Sequence, residues 1–162
     1  MTPVLTAPVL DHVGLSVGDL PAMSAWYAAA FGLAVDLEFT VAEVGLSGTM
    51  LRSPEGFRIE LLARAGSTPG LQPGSAAEAA LTRGFGHVAF DVPDVDTTYD
   101  ALLAAGATDR MSPRPSPEPG VRMAFVADPE GNLVELLDRT SSSVVEEGAP
   151  APVSKPRSEV RA

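Results

Sequence analysis

Apolar residues alternate with polar ones in eight short stretches of this chain, a spacing typical of half-buried β-strands. The predicted strands are 10–17, 33–41, 48–52, 57–63, 85–92, 108–112, 122–127 and 132–138. Two other stretches carry apolar residues at helical spacing, and each lies between a capping aspartate and a terminal glycine. These boundaries are Asp19 and Gly32 for the first helix and Asp94 and Gly106 for the second. The chain therefore predicts the order β-α-β-β-β twice.

Each predicted helix has one apolar stripe, which we assign to the core. The stripes are Met23, Trp26 and Tyr27 in the first helix and Tyr99, Leu102 and Leu103 in the second. A Gly-, Pro- and Ser-rich connector follows the first half and contains a predicted short helix at 76–81. We therefore predict a first βαβββ module at 9–64, a linker at 65–84 and a second βαβββ module at 85–139. Residues 140–162 lack periodicity and are rich in Ser, Pro, Glu and Ala, which predicts a disordered tail.

The two halves repeat one another at an offset of 75 residues, as from His12 to His87. The longest matching segments are 53–62 (Ser-Pro-Glu-Gly-Phe-Arg-Ile-Glu-Leu-Leu) and 128–137 (Asp-Pro-Glu-Gly-Asn-Leu-Val-Glu-Leu-Leu). Glu60 is therefore equivalent to Glu135, and the histidine precedes the glutamate by 48 residues in both halves. This duplication predicts an α+β fold with two tandem βαβββ modules related by pseudo-twofold symmetry. Together the modules would form a cupped mixed β-sheet flanked by helices.

Composition excludes several classes of protein. The chain has 162 residues, enough for one domain or for two small modules that share a core. It contains no cysteine, which excludes disulfides, thiolate metal sites and a cysteine nucleophile. A net charge of −10 with few, scattered Lys and Arg argues against a nucleic-acid partner, because phosphate binding needs a basic surface. No apolar run is long enough to cross a membrane and the N-terminus lacks a secretion signal, so we expect a cytoplasmic protein without membrane contacts.

The candidate chemistry lies in the repeated histidine and glutamate. His12 and His87 are the only histidines, and Glu60 and Glu135 occupy the middle of predicted strands. Two imidazoles and two carboxylates suit Zn²⁺, Ni²⁺, Co²⁺, Mn²⁺ or Fe²⁺. Strand alternation places these side chains opposite the main apolar row, so all four would converge on the floor of the cup. Duplication alone would also repeat these positions, but it does not explain why two costly mid-strand carboxylates were kept.

We therefore predict one divalent metal ion with four ligands: His12, Glu60, His87 and Glu135. Such an ion would polarise a carbonyl group of a small-molecule substrate and stabilise the enolate. Either glutamate could loosen from the ion and move the proton at the adjacent carbon, so both are candidate catalytic residues. The predicted wall of the site includes Ser16, Arg58 and Phe85.

Several motifs resemble those of the vicinal oxygen chelate superfamily. They are His12-Val-Gly-Leu-Ser-Val-Gly-Asp-Leu20 with Trp26-Tyr27 and Phe31-Gly-Leu33, Gly86-His-Val-Ala-Phe-Asp-Val92, and Phe125-Val-Ala-Asp-Pro-Glu-Gly-Asn-Leu-Val-Glu-Leu-Leu137. This superfamily includes glyoxalase I, methylmalonyl-CoA epimerase, extradiol dioxygenases and bleomycin-resistance proteins. The resemblance covers 9–139 and implies a glyoxalase-like fold of paired modules, often a homodimer, with metal ligands at the same four positions.

The resemblance favours a metal-dependent enzyme of the glyoxalase or epimerase type, which would be a lyase or an isomerase. Many bacterial glyoxalases carry Arg and Asn where this chain has Ser16 and Arg64, so the substrate stays open. One alternative is an Fe²⁺ extradiol-type dioxygenase, which needs two histidines and one carboxylate and would leave Glu60 as a surplus ligand. The other is a protein that binds a small molecule or antibiotic without a metal and without catalysis. The metal site could form within one chain or across a dimer interface.

Overall fold

The computed structural model describes residues 9–139. Its strands are β1 (Val13–Ser16), β2 (Ala34–Val41), β3 (Leu46–Arg52), β4 (Arg58–Arg64), β5 (Val88–Asp91), β6 (Thr108–Pro115), β7 (Arg122–Ala127) and β8 (Leu133–Asp138). Its helices are α1 (Leu20–Phe31), α2 (Ala76–Ala79) and α3 (Val95–Ala104), with an unpredicted 3₁₀ turn at Ala42–Val44. The tail predicted at 140–162 lies outside the described residues, and the division at 9–64, 65–84 and 85–139 stays a prediction.

The eight strands form two four-stranded mixed sheets with the same topology. The strand orders are β1-β4-β3-β2 and β5-β8-β7-β6. Strand β1 runs parallel to β4, and β5 runs parallel to β8. All other neighbouring strands are antiparallel. The register is also repeated, because Gly14 lies opposite Glu60 and Ala89 lies opposite Glu135. The predicted α+β class and the repeated βαβββ order are confirmed, with the strands divided between two sheets.

Helices α1 and α3 begin directly after their predicted capping aspartates, and α1 ends at the predicted Gly32. Helix α2 ends at Ala79 instead of residue 81, and α3 ends at Ala104 with Ala105, not Gly106, as its cap. Asp19 accepts a hydrogen bond from the backbone N–H of Ala22 at 3.0 Å, and Gly32 ends α1 in the left-handed region with φ 63°. Asp94 caps α3 in the same way, accepting from the backbone N–H of Thr97 at 2.9 Å. Within the described residues, no helix has the length and apolar character needed to span a membrane.

Helices α1 and α3 each pack on the sheet of their own half and form a separate apolar cluster with it. The first contains Val17, Met23, Tyr27, Leu33, Leu51, Ile59 and Leu61, and the second contains Val95, Tyr99, Leu102, Ala107, Ala124, Val126, Val134 and Leu136. Trp26, Phe31 and Phe90 pack against both clusters, and the rings of Phe31 and Phe90 are stacked with centroids 4.5 Å apart. The predicted helical stripes therefore lie in the core, and three aromatic rings join the two clusters.

A hairpin turn of the second half is also tied to the first helix. Asp128 is 1% exposed, and its carboxylate accepts hydrogen bonds from the Tyr27 hydroxyl at 2.9 Å, the Asn132 amide at 2.8 Å and two backbone N–H groups of its own turn. Glu130 accepts from the backbone N–H groups of Gly18 at 2.7 Å and Asp19 at 2.8 Å. These polar contacts fix the turn between β7 and β8 against the start of α1.

Replacing Tyr27 by Phe is expected to reduce the free energy of unfolding at pH 7 by about 1–3 kcal/mol, because Asp128 loses a buried donor. Burial raises the pKa of the Tyr27 phenol well above its usual range, and Asp128 raises it further. Above the unfolded-state pKa of about 10, the unfolded chain therefore loses the phenolic proton while the folded chain keeps it, so stability falls as pH rises. Tyr27→Phe should flatten that decline.

Urea unfolding at pH 7 and at about pH 10.5 measures both effects. Tyr99→Phe is the comparison variant: burial also raises the pKa of Tyr99, so it too should flatten part of the alkaline decline, but it leaves the hydrogen bond between Tyr27 and Asp128 intact. A Tyr27→Phe protein as stable as the parent at pH 7, with the same alkaline decline, would contradict the assigned role of the hydrogen bond.

Candidate metal centre

Each histidine lies immediately before the first strand of its sheet. His12 precedes β1 and His87 precedes β5, so the prediction that both lie within strands was wrong by one residue. Both strands begin later than predicted, because the backbone at 9–12 and 85–87 is not hydrogen-bonded into a sheet. This position leaves the imidazoles accessible, with the side chain of His12 35% exposed and that of His87 42% exposed.

Each glutamate lies on the neighbouring strand, beside its histidine. Nε2 of His12 is 3.5 Å from Oε2 of Glu60, and Nε2 of His87 is 3.2 Å from Oε2 of Glu135. We name these the first pair (His12 and Glu60) and the second pair (His87 and Glu135). The parallel neighbours β1 and β4, and likewise β5 and β8, bring together residues that are 48 positions apart in the chain.

The pair geometry fits two adjacent ligands of one cation. Ligand atoms about 2.1 Å from an ion, at angles of about 90–109°, lie roughly 3.0–3.4 Å apart. The two observed separations of 3.5 Å and 3.2 Å are close to this range. The glutamate side chains are 20% and 16% exposed, so each carboxylate is largely shielded from solvent.

Within one chain the two histidines face a common cavity, but the two pairs do not meet. Both histidines line a cavity of about 690 Å³ together with Leu10, Leu71, Phe85 and Leu133. Across residues 9–139, however, no group of three or more His, Cys, Asp or Glu side chains is placed to hold a metal ion. The structure thus brings the four predicted ligands together as two pairs and not as one group of four.

Two of the three predicted wall residues line cavities beside the pairs. Phe85 lines the cavity shared by the histidines, and its side chain is fully exposed. Arg58 lines a second cavity of about 420 Å³ with His12 and Phe90. Ser16 lines neither cavity, although it lies two residues after Gly14 on the same face of β1.

The first pair has polar support that the sequence interpretation missed. Nδ1 of His12 lies 2.6 Å from Oδ1 of Asp11, and Arg58 forms an ion pair with Oδ2 of the same carboxylate. The hydrogen bond from His12, together with Arg58, holds the pKa of Asp11 below its usual range. The available sequence signal was the dipeptide Asp11-His12, which has Gly86-His87 as its counterpart in the second half.

Comparisons with known proteins agree with this architecture. Residues 9–136 match the model of a family described as the Glyoxalase/Bleomycin resistance protein/Dioxygenase superfamily. The chain is 31% identical over 144 residues to a probable lactoylglutathione lyase of Vibrio parahaemolyticus, covering 85% of this chain and 95% of that protein. It is 30% identical over 139 residues to a probable lactoylglutathione lyase of Synechocystis, covering 82% and 96%.

Solved structures show the same fold. The crystal structure of glyoxalase I from Zea mays superposes with a TM-score of 0.62 at 25% identity, over 78% of this chain, which spans only 43% of the maize chain. A glyoxalase family protein from Bacillus cereus gives a TM-score of 0.67 at 21% identity, covering 85% of this chain and 98% of that one. The resemblance noted in the sequence is thereby confirmed, and the chain belongs to the Glyoxalase/Bleomycin resistance protein/Dioxygenase superfamily, the vicinal oxygen chelate group.

Proposed function

We propose that this protein is a divalent-metal-dependent enzyme of the glyoxalase or epimerase type. It would act on a small-molecule carbonyl compound and move a proton at the carbon next to that carbonyl. The observation that carries the proposal is the repeated histidine–glutamate pair, with nitrogen–oxygen separations of 3.5 Å and 3.2 Å at equivalent positions of two sheets. A single pair is often part of a polar strand face, but two equivalent pairs supply a complete set of four ligands.

The four residues have two roles in this proposal. His12 and His87 are fixed ligands, and Glu60 and Glu135 are ligands of which one also accepts the proton. The bound ion would be Ni²⁺, Co²⁺, Zn²⁺, Mn²⁺ or Fe²⁺, and it would polarise the substrate carbonyl so that the adjacent proton becomes more acidic. The partial shielding of each carboxylate by its sheet keeps it positioned and limits its solvation.

A homodimer would complete the metal centre. In the described residues of one chain no three ligand side chains come together, which supports a site built from the first pair of one copy and the second pair of another. Large apolar side chains support a second copy at this face. Leu37 lies across β3 from Glu60 and is 55% exposed, and Phe85 beside His87 is fully exposed. A partner chain would cover such side chains.

The relatives indicate a substrate class to test first. Their names contain lactoylglutathione, a thioester, and its isomer is a hemithioacetal that glutathione forms with a ketoaldehyde. We propose a thiol adduct of this kind, in which hydroxyl and carbonyl oxygens on adjacent carbons are both available to the ion. Ser16 and Arg64 replace the arginine and asparagine of many bacterial glyoxalases, so assays should compare adducts of glutathione with those of smaller thiols.

Removing divalent metals from the untagged protein is expected to abolish turnover, and adding back one of the five candidate ions should restore it. Metal binding should also stabilise the fold, by about 2.7 kcal/mol at an ion concentration one hundred times Kd. The measurements are elemental analysis, thioester formation followed by absorbance, and thermal unfolding with and without the ion. Full activity in verified metal-free protein would contradict the proposal.

The same samples separate the two alternatives. A small-molecule-binding protein without a metal would show no metal content and no change of thermal stability with added ions. A dioxygenase would consume oxygen when Fe²⁺ and a catechol are present, whereas a proton-moving enzyme would not.

A further inference from the structure

The two histidines have different surroundings, although the sheets that carry them are repeats. A chain of alternating charges extends from the first pair through Asp11, Arg58, Asp36 and Arg52. By the register of the two sheets, the second half has Gly86 in place of Asp11, Leu133 in place of Arg58, Arg110 in place of Asp36 and Ala127 in place of Arg52. The two charged residues nearest His12, Asp11 and Arg58, therefore have uncharged counterparts beside His87, which provides an internal comparison.

Asp11 constrains the imidazole of His12 at one nitrogen. A carboxylate only accepts hydrogen bonds, so the proton of this 2.6 Å contact resides on Nδ1 of His12. The other nitrogen, Nε2, then faces Glu60 at 3.5 Å with its lone pair available to a cation. Arg58 holds the opposite oxygen of the Asp11 carboxylate, and its own side chain is only 22% exposed.

His87 lacks an equivalent constraint. Gly86 has no side chain, and the described contact of the His87 ring, apart from Glu135, is an edge contact with Phe125 at a centroid distance of 5.3 Å. An aromatic edge restricts the position of the ring without selecting which nitrogen carries the proton. The imidazole of His87 is also the more exposed of the two, at 42% against 35%.

We propose that Asp11 is a positioning residue that orients His12 for metal binding and makes the first pair the stronger half of the metal centre. This inference rests on the proposed function. A carboxylate that accepts the second ring proton of a ligand histidine fixes the orientation of the ring, determines its tautomer and increases the basicity of the ligating nitrogen. The first pair therefore binds the ion more tightly, and the second pair completes the coordination.

Asp11→Ala tests the inference directly. Because the side chain of Asp11 is 65% exposed, the variant should fold with nearly the same thermal stability as the parent. Its Kd for Zn²⁺ or Ni²⁺, measured by competition with a chelator, is expected to rise by about 10–100-fold, the usual effect of losing such a partner. Asp11→Asn keeps an acceptor but removes the charge, and an intermediate Kd is expected.

Asp96→Ala is the matched control. Asp96 is also an exposed aspartate that forms an ion pair with an arginine, Arg122, and it lies at the start of α3, where it contacts neither histidine. Asp96→Ala removes the same charge from the chain as Asp11→Ala. Its Kd for the metal ion should therefore change by no more than about twofold, the size of a general charge effect. Equal Kd values for Asp11→Ala and Asp96→Ala would overturn the inference.

A second measurement does not depend on a bound metal. Since the chain has only two histidines, a ¹H–¹⁵N correlation spectrum of the metal-free protein contains two imidazoles, and His12→Gln assigns them. The neutral imidazole of His12 should carry its proton on Nδ1 and lose this preference in Asp11→Ala. An unchanged tautomer would overturn the inference. A parent protein that binds no metal would instead contradict the proposed function.

Discussion

Replacing Glu135 by Gln should lower kcat at least about 100-fold while the fold is retained, because an amide of the same size is neither a proton acceptor nor an anionic ligand. Glu135 lies in the middle of β8, 3.2 Å from His87, and its side chain is 16% exposed. Steady-state kinetics with the best thiol adduct, metal content and thermal unfolding should be measured on the same preparation.

Glu43→Gln is the control for this loss of charge. Glu43 is exposed and lies in the 3₁₀ turn Ala42–Val44, between β2 and β3. Its kcat should equal that of the parent. Glu60→Gln provides the comparison within the site, since Glu60 has the same position in the first sheet. Undiminished turnover in Glu135→Gln would remove its assigned role, and a comparison of the two glutamine variants would show which glutamate is the base.

Two inactive variants are expected to restore activity when they share a dimer. If each site combines the first pair of one chain with the second pair of its partner, a heterodimer of His12→Ala with Glu135→Gln contains one intact site. The other site then carries both substitutions. Random assembly makes half of the dimers heterodimers, so co-expression should restore about a quarter of the parent activity. Each variant alone should stay close to the background rate.

Co-expression of His12→Ala with Glu60→Gln is the matched control. Both substitutions lie in the first pair, so every site of the heterodimer contains one damaged pair, and activity should stay at background. Differently tagged chains, purified through both tags, would enrich the heterodimer and raise the expected recovery to about half. Background activity in both experiments would contradict the dimer arrangement and favour a site that closes across the cavity within one chain.

Local sequence was sufficient to predict the eight strands and the two long helices of this fold, but not the 3₁₀ turn at Ala42–Val44. Asp19 and Gly32 define the ends of α1 through a side-chain cap and a left-handed residue, and both interactions lie within a few residues along the chain. Strand alternation likewise placed Glu60 opposite the buried row of Ile59 and Leu61. The repeat offset identified the two histidines and two glutamates as candidate metal ligands, but it did not predict the separations of 3.5 Å and 3.2 Å within the two pairs.

Contacts between residues distant in the chain could not be predicted in this way. Asp11 and His12 are neighbours in the sequence, but their hydrogen bond also depends on Arg58. Arg58 lies on β4 and forms an ion pair with the Asp11 carboxylate, which holds the carboxylate in place. The start of β1 after His12 depends on where its pairing with β4 begins, at Val13 opposite Ile59. Alternation specifies faces of a strand, but it does not specify where hydrogen bonding to a neighbour starts.

By itself the sequence determined the α+β class, the repeated βαβββ order, the capped starts of both long helices and the identity of four candidate ligands, because propensity, capping and duplication are all encoded along the chain. Only the tertiary structure decided that the strands form two sheets and that the ligands gather as two separate pairs. The physical reason is that the placement of one half against the other depends on packing between distant residues, here Trp26, Phe31 and Phe90, and on the Glu130 contacts with α1.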